Sequence, residues 1–253
     1  MIGYWARELL YGVLRVTLSF KRDTSLYVLM YHSVGGDGPL SVSVAEFNWQ
    51  MRFISLNYDV ISLSSALSVS RLPRVRPAIC VTFDDGLADL YANALPILER
   101  WRIPATFFIT TGYIGGLHPV FYGHERCMSA TEIKDLHFRG YEIGAHTVSH
   151  PKLARIDAHA AYGEIAGSKA VLELITGARV RSFAYPKGSY TEAVEKLVES
   201  AGFEVACAVR EAACDSQGDR FALPRIAVDA SIGRMQFKGK ISPAISVYEY
   251  IKK

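Results

Sequence analysis

Two short segments of the chain carry side chains that could bind a metal ion and move a proton. Asp84 and Asp85 stand side by side before Gly86, directly after an apolar run. His146 and His150 are four positions apart, so that both imidazoles can face one point. Two histidines and one carboxylate suit Zn²⁺ first, and also Co²⁺, Ni²⁺, Mn²⁺ or Fe²⁺, and they leave open positions for water and substrate.

The adjacent aspartates could serve such a centre in two different ways. Neighbouring carboxylates repel each other, but a bound cation would keep both of them ionised. One aspartate could then bind the metal while the other acts as a general base on the attacking water. A plain turn is the alternative for Asp84–Gly86, and hydrogen-bonded or surface imidazoles are the alternative for His146 and His150.

Alternating strands and helices are predicted to position these side chains. Buried strands are predicted at Tyr27–Tyr31, Ala78–Phe83, Ala105–Ile109, Tyr141–Ala145, Val180–Tyr185 and Phe203–Val209. Helix starts between them are predicted by capping boxes at Ser129–Glu132 and Ser189–Glu192, and by Asp157. Nearly continuous apolar strands that alternate with helices indicate a parallel sheet, closed or open.

Polar residues directly follow four of these strands. Parallel α/β folds build their active sites at the carboxyl ends of the strands, so the side chains that follow are expected to meet there. The residues at these four ends are His32, Asp84 with Asp85, His146, and Pro186 with Lys187.

Composition narrows the class of protein. Of the 253 residues, 50% are hydrophobic and 21% are charged, which is typical of a globular chain with a large core. We expect a single domain over residues 1–253, because no linker, repeat or low-complexity segment divides it. A net charge of +3 without a run of basic residues argues against a nucleic-acid partner.

The N-terminal segment, residues 1–22, is predicted to be an amphipathic helix ahead of a catalytic core at 23–253. It could pack against the protein or a partner, or lie at the surface of the inner membrane. Arg7, Glu8 and Arg15 interrupt its apolar residues, so neither a secretion signal nor a membrane span is predicted. We therefore expect a cytoplasmic protein, with peripheral membrane contact as the alternative.

The segments VTFDDG, HTVSH and FAYPKG, in this order, resemble the metal-dependent polysaccharide deacetylases, the NodB-like carbohydrate esterases. The likeness extends to LMYHSV and LPRIAV, covers roughly residues 27–230, and is strongest to the bacterial poly-N-acetylglucosamine and lipopolysaccharide-type branch. The resemblance implies a distorted (β/α)7 barrel, in agreement with the alternation of strands and helices.

The resemblance also implies roles for individual residues. Asp84 matches the general base, and Asp85, His146 and His150 match the ligands of one divalent metal ion. The backbone N–H of Lys187 matches the donor that stabilises the oxyanion.

The chain departs from the family pattern at two places. Ala184 stands where many members have an arginine that orients the base, and Arg225 is the best substitute to pair with Asp84. No histidine follows His159, so the histidine that serves as general acid in many members is missing. The resemblance to the poly-N-acetylglucosamine branch implies that His32, in the early Tyr-His motif, takes that role.

The remaining site residues are predicted more loosely. The resemblance places Tyr185 and Pro186 on the substrate side. Four further histidines fall in predicted loops or helices and are expected at the surface: His118, His124, His137 and His159.

The function implied is hydrolysis of an N-acetyl group on a sugar, with release of acetate. The expected substrate is an N-acetylated sugar or a lipid-linked saccharide that serves as a precursor of a surface polysaccharide or of lipopolysaccharide O-antigen. Two alternatives stay open: an esterase or amidase that uses the same site on an O-acetyl group or another non-peptide amide, and a carbohydrate-binding module with an impaired site.

Overall fold

The computed structural model describes residues 8–14, 25–69, 76–119, 125–215 and 218–251. Its strands are β1 (Leu26–Tyr31), β2 (Ser33–Val34), β3 (Ser41–Val42), β4 (Asp59–Val60), β5 (Ala78–Phe83), β6 (Ala105–Ile109), β7 (Leu117–His118), β8 (Glu125–Arg126), β9 (Glu142–Ala145), β10 (Ser182–Ala184), β11 (Val205–Cys207) and β12 (Ile226–Ala227). Its α-helices are α1 (Val44–Asn57), α2 (Leu63–Val69), α3 (Leu95–Trp101), α4 (Ala130–Phe138), α5 (Ala158–Thr176), α6 (Glu192–Ser200), α7 (Arg234–Lys240) and α8 (Ala244–Ile251).

A curled sheet of parallel strands forms the centre of the molecule. The strand order is β11-β10-β9-β6-β5-β1-β12, and β4 pairs in addition with the start of β5. All of these pairings are parallel, which confirms the predicted α/β class. The seven strands in line and their surrounding helices correspond to the expected (β/α)7 barrel of the deacetylase type.

The register of the central strands brings the predicted site residues to one edge. Tyr31 lies opposite Phe83, so the residues that follow β1 and β5 start at the same level of the sheet. Ile109 lies opposite Ala145, so β9 ends level with β6. His32, Asp84 and His146 therefore emerge at a common edge, because parallel strands in register end together.

The core explains why the strands read as continuous apolar runs. All six residues of β1 and all six of β5 are buried, because helices cover the sheet. Phe83 stacks on Phe107 of β6, with ring centroids 4.8 Å apart. Burial of one such side chain contributes about 1.5–3 kcal/mol to folding, so the strand that carries the aspartates is firmly anchored.

The helix starts follow the capping chemistry with one exception. The Ser129 capping box is present with both of its hydrogen bonds, and Asp157 accepts from the N–H of Ala160 at the start of α5. The capping box predicted at Ser189–Glu192 is wrong. Thr191 caps α6 instead, accepting from the N–H of Val194, because Ser189 still belongs to the turn after β10.

Residues 8–14 are helical and pack on the C-terminal helices. Tyr11 is fully buried and stacks on Tyr248 of α8, and Glu8 accepts hydrogen bonds from the N–H groups of Met235 and Gln236. The rest of the predicted N-terminal helix, residues 1–7 and 15–22, lies outside the described residues. Within the described part of the chain, no helix has both the length and the apolar character needed to cross a membrane.

Candidate active site

The two aspartates stand in a tight turn at the end of β5. The N–H of Asp84 still donates to the carbonyl of Tyr31 on β1, at 2.9 Å. Asp85 and Gly86 then both adopt left-handed backbone conformations, with φ of 69° and 73°. A Cβ on Gly86 would also lie 3.0 Å from the Ile109 side chain. This position therefore favours glycine for two reasons, the positive φ and the lack of space for a side chain. The turn presents the two neighbouring carboxylates to different partners.

Asp84 faces the guanidinium of Arg225. Nη1 and Nη2 of Arg225 donate to the two carboxylate oxygens at 2.6 and 2.7 Å, and Arg225 is fully buried. Arg225 also donates to the carbonyl of Ala208 and to the hydroxyl of Thr82. Burial by itself would raise the pKa of Asp84, but the charge and hydrogen bonds of Arg225, together with His146, lower it well below its ordinary value. Arg225 therefore holds Asp84 as an ionised carboxylate near neutral pH.

Asp85 faces three imidazoles. Its Oδ1 lies 3.2 Å from Nε2 of His150, 3.5 Å from Nε2 of His118 and 3.6 Å from Nε2 of His146. This oxygen is buried and has no hydrogen-bond donor among the described residues. Burial and the neighbouring charge of Asp84 raise the pKa of Asp85 well above its ordinary value.

His146 is oriented by the strand next to it. Its Nδ1 lies 2.7 Å from the carbonyl of Ala184 on β10, so Nδ1 carries the proton and Nε2 presents its lone pair to Asp85. Burial lowers the pKa of His146 to about 4, which keeps the ring neutral near pH 7. Ala184 thus serves the site through its carbonyl, although it lacks the arginine side chain found in many family members.

The loop between the two predicted histidine ligands is held from α5. Oε2 of Glu164 accepts hydrogen bonds from the N–H groups of Val148 and Ser149, both at 2.8 Å, and Oε1 accepts from the Ser149 hydroxyl. Thr147 and His150 have left-handed backbone conformations, with φ of 66° and 61°. Glu164 was not predicted, because nothing in its sequence surroundings relates it to the loop that it holds.

The prediction that His118 lies at the surface is wrong. His118 is fully buried, and its ring packs edge-to-face against His150 and Tyr113 at centroid distances of 5.4 and 5.0 Å. Ligand atoms of Asp85, His118 and His150 lie within 4.8 Å of one another. The sequence pattern missed His118 because β7 is only two residues long and forms a hairpin with β8 outside the central sheet.

The other histidines differ in their placement. His159 is exposed on α5, as predicted, and His137 on α4 is partly buried. His124 lies outside the described residues. His32 is partly buried after β1, and burial lowers its pKa while the charge of Asp84 acts in the opposite direction. His32 is therefore within electrostatic reach of Asp84.

The turn after β10 brings Lys187 to the site. Lys187 has φ 57° and an exposed side chain, and no acceptor for its N–H is found in the described part of the chain. The side chain of Tyr185 is fully buried and stacks on Tyr190 with centroids 4.7 Å apart, and its contact with substrate stays a prediction. Pro186 is buried too, and its place is at the start of this turn.

Backbone strain concentrates at this edge of the sheet. Asp85, Thr147, His150 and Lys187 are four of the five non-glycine residues with positive φ in the described chain, and the fifth is Arg102 at the end of α3. Each such conformation costs about 1–3 kcal/mol and persists where the surroundings enforce it. The strain therefore falls on the loops that aim the site residues.

A divalent cation fits this arrangement. A buried carboxylate oxygen without a donor, surrounded by neutral imidazole nitrogens, is costly unless a cation accompanies it. Oxygen and imidazole nitrogen donors suit Zn²⁺ and its transition-metal neighbours.

Comparison with known proteins identifies the family. Residues 72–206 match the sequence model of the polysaccharide deacetylases, and the chain belongs to that family. It is 26% identical over 221 residues to the Bacillus subtilis protein YxkH, covering 86% of this chain and 76% of that one. It is also 24% identical over 199 residues to the poly-β-1,6-N-acetyl-D-glucosamine N-deacetylase of Staphylococcus aureus, covering 74% and 68%.

Two solved structures share the fold. The Streptococcus pyogenes deacetylase PplD, solved in complex with acetate, superposes with a TM-score of 0.76 at 23% identity, covering 87% of this chain and 99% of that one. IcaB from Ammonifex degensii superposes with a TM-score of 0.75 at 24% identity, with the same coverage. The family resemblance and the fold class predicted from the sequence are both confirmed.

Proposed function

We propose that this protein is a metal-dependent hydrolase that removes an N-acetyl group from a sugar of a bacterial surface polysaccharide or its precursor. Water and the N-acetyl amide are converted to acetate and a free amine. The observation that carries the proposal is the pair of adjacent carboxylates with opposite surroundings, Asp84 on Arg225 and Asp85 among imidazoles. Membership of the polysaccharide deacetylase family and similarity to a named poly-N-acetylglucosamine deacetylase support the substrate class.

The metal side of the site uses residues implied by the resemblance. Asp85, His146 and His150 would hold a divalent cation, which supplies Lewis acidity toward water and the acetyl carbonyl when bound. His146 is prepared for this by its hydrogen bond to Ala184, which leaves Nε2 available. His150 is aimed by its left-handed backbone and by the bond from its N–H to the Thr147 hydroxyl, at 3.0 Å.

The proton-transfer side uses Asp84 and His32. Arg225 keeps Asp84 ionised and fixes the direction of its carboxylate, so that Asp84 can take a proton from the attacking water. A carboxylate oxygen can accept more than one hydrogen bond, so the arginine does not use up its capacity. His32, at the neighbouring strand end, would give a proton to the departing amine.

The oxyanion of the tetrahedral intermediate would be stabilised by a backbone donor. The Lys187 N–H is placed by the turn that starts at Pro186, and it has no acceptor among the described residues. One such donor is worth about 10²–10³ in kcat where it has been removed in other enzymes. The exposed Lys187 side chain adds positive charge near Asp85.

Acetate release from a panel of substrates tests the proposal. The protein is stripped with a chelator, reloaded with Zn²⁺ or Co²⁺, and assayed on β-1,6- and β-1,4-linked N-acetylglucosamine oligomers, an O-acetylated sugar and a non-sugar N-acetyl amide. We expect metal-restored acetate release from the N-acetylated sugars. Faster release from the O-acetylated sugar would support the esterase instead. Metal binding without turnover on any substrate would support a binding module.

The cellular setting remains a prediction. We propose, as the sequence led us to expect, a cytoplasmic protein whose substrate is a lipid-linked O-antigen precursor at the inner membrane. A radiolabelled lipid-linked oligosaccharide added to the same assay would test the lipid-linked substrate.

A further inference from the structure

His118 is the residue that the family resemblance leaves without a role. It belongs to β7, which pairs with β8 outside the central sheet, yet its side chain is fully buried and reaches Asp85 at the end of β5. Its Nε2 lies 3.5 Å from Asp85 Oδ1, between the distances of the two histidines that the resemblance assigns to the metal. This placement requires an explanation beyond packing.

We propose that His118 is a fourth protein ligand of the metal ion, so that the centre consists of one aspartate and three histidines. The proposal rests on the metal site of the proposed function and extends its ligand set. Nothing in the family resemblance implies this residue.

The distances favour ligation over a direct hydrogen bond. An N–H···O hydrogen bond is normally 2.7–3.2 Å long, and the Nε2–Oδ1 distance of His118 exceeds that range. Two ligands bound to one Zn²⁺ at about 2.0–2.2 Å in tetrahedral directions lie roughly 3.3–3.5 Å apart. The separations of 3.2, 3.5 and 3.6 Å between Asp85 Oδ1 and the three Nε2 atoms cluster around that value.

The surroundings of His118 also hold its ring in a ligating position. Tyr113 and His150 pack edge-to-face against it at interplanar angles of 72° and 76°. The compact group of potential ligand atoms within 4.8 Å consists of Asp85, His118 and His150. His146 is 3.6 Å from Asp85 Oδ1 but stands outside this group, so a centre with all four ligands requires His146 to move closer to His118 and His150 when the ion binds.

A fourth ligand has chemical consequences. Three imidazoles and one carboxylate favour Zn²⁺, Co²⁺ or Ni²⁺ over Mg²⁺, Ca²⁺ or Mn²⁺, which prefer oxygen donors. Four protein ligands would also fill a tetrahedral shell, so that a catalytic water requires a higher coordination number. A measurement of the coordination number of the bound ion would therefore report whether His118 is a ligand.

The experiment uses Co²⁺ and Zn²⁺ as probes and needs no substrate. Stripped wild-type protein, His118→Gln and His118→Phe are titrated with Co²⁺ while the visible absorption spectrum is recorded, and Zn²⁺ affinity is measured by competition with a chromophoric chelator. His159→Ala is the matched control, because His159 is exposed. We expect His118→Gln to lose more than about a hundredfold in affinity, since removal of an outer partner alone costs about 10–100-fold. We also expect its Co²⁺ bands to change in intensity.

A second measurement covers variants that fail to fold. In wild-type protein with ¹⁵N-labelled histidine, we expect Zn²⁺ to shift three buried Nε2 resonances, and a shift of only two would overturn the proposal. Unchanged affinity and an unchanged Co²⁺ spectrum in folded His118→Gln would overturn it as well.

These outcomes are independent of turnover. If no acetate is released but His118→Gln loses metal, the ligand assignment stands and the proposed function fails. If acetate is released and His118→Gln binds metal like the wild type, the function stands and the ligand assignment fails.

Discussion

The two sides of the site begin from neighbouring residues and are built in opposite ways. On one side, both oxygens of Asp84 are bonded to Arg225, so that the charge is neutralised by the protein itself. On the other side, Oδ1 of Asp85 has no donor among the described residues and is surrounded by imidazole nitrogens. The first side is neutralised within the protein, whereas the second has a buried carboxylate oxygen that a cation would fit.

This difference shows how one turn can give two carboxylates separate chemistry. The left-handed conformations of Asp85 and Gly86 separate the directions of the side chains, and the sheet then supplies different partners to each. Arginine lowers the pKa of Asp84, while burial raises that of Asp85. Two adjacent carboxylates with opposite pKa shifts therefore lie at one turn, which suits the separate roles that we propose for them.

The largest expected effect separates the two aspartates by activity and metal content. Asp84→Asn should lower kcat by about 10²–10⁴-fold and keep its metal, because only the general base is removed. Asp85→Asn should lose both activity and metal. Kinetics and metal analysis of the purified variants measure this. Full activity in Asp84→Asn, or full metal content in Asp85→Asn, would show that the two sides are not distinct.

The next effect concerns how much the Asp84–Arg225 ion pair contributes to the stability of the protein. Arg225→Met should lower the free energy of unfolding of the metal-free protein by about 3–5 kcal/mol, because Asp84 is left as a buried, unpaired charge. Urea unfolding measures it. Arg220→Met, at an exposed arginine bonded to Glu199, is the control and should change stability by no more than about 1 kcal/mol.

A double variant checks the cause of that loss. Arg225→Met combined with Asp84→Asn should be more stable than Arg225→Met alone, since the second change removes the unpaired charge. Equal stability of the single and double variants would mean that packing of Arg225, and not its charge, is what matters.

A smaller effect addresses how the metal side is held. Glu164→Gln should weaken Co²⁺ affinity by about 10–100-fold, because the amide cannot accept from Val148, Ser149 N–H and the Ser149 hydroxyl as the carboxylate does. Glu173→Gln is a matched control on the same helix, where the side chain serves Val180 and Lys169. Equal losses in both variants would refute a specific role for Glu164.

The smallest effect is the pH dependence of metal affinity. The raised pKa of Asp85 means that the metal-free site holds a proton there below that pKa, and the metal must displace it. Burial lowers the pKa values of His118 and His146 to about 4, so both rings are already neutral near pH 6–7. Metal binding therefore displaces no proton from these two rings. Co²⁺ affinity should therefore fall by up to about tenfold per pH unit toward acid. A fall that indicates two or more displaced protons would contradict this reasoning.

Sequence patterns were sufficient where the determinants are local. Burial and strand ends depend on neighbouring residues. The sequence therefore predicted the apolar run of β5, the aspartates that follow it and the spacing of His146 and His150. Short strands were less accessible. β12 has two residues, too few for a periodic pattern, and β10 is shorter than the predicted Val180–Tyr185. The packing of Tyr185 was not predicted either, because it depends on contacts between residues that are distant in the sequence.

The sequence by itself determined the parallel α/β architecture, the family and the edge of the sheet at which Asp84, Asp85, His146 and Lys187 meet. Only the tertiary structure decided which distant residues complete that edge. Arg225 reaches Asp84 from 141 positions away because β12 pairs with β1, and β1 with β5. His118 and Glu164 arrive from a hairpin and a helix outside the central sheet. Contacts between such elements depend on how the chain packs, which local residue patterns do not encode.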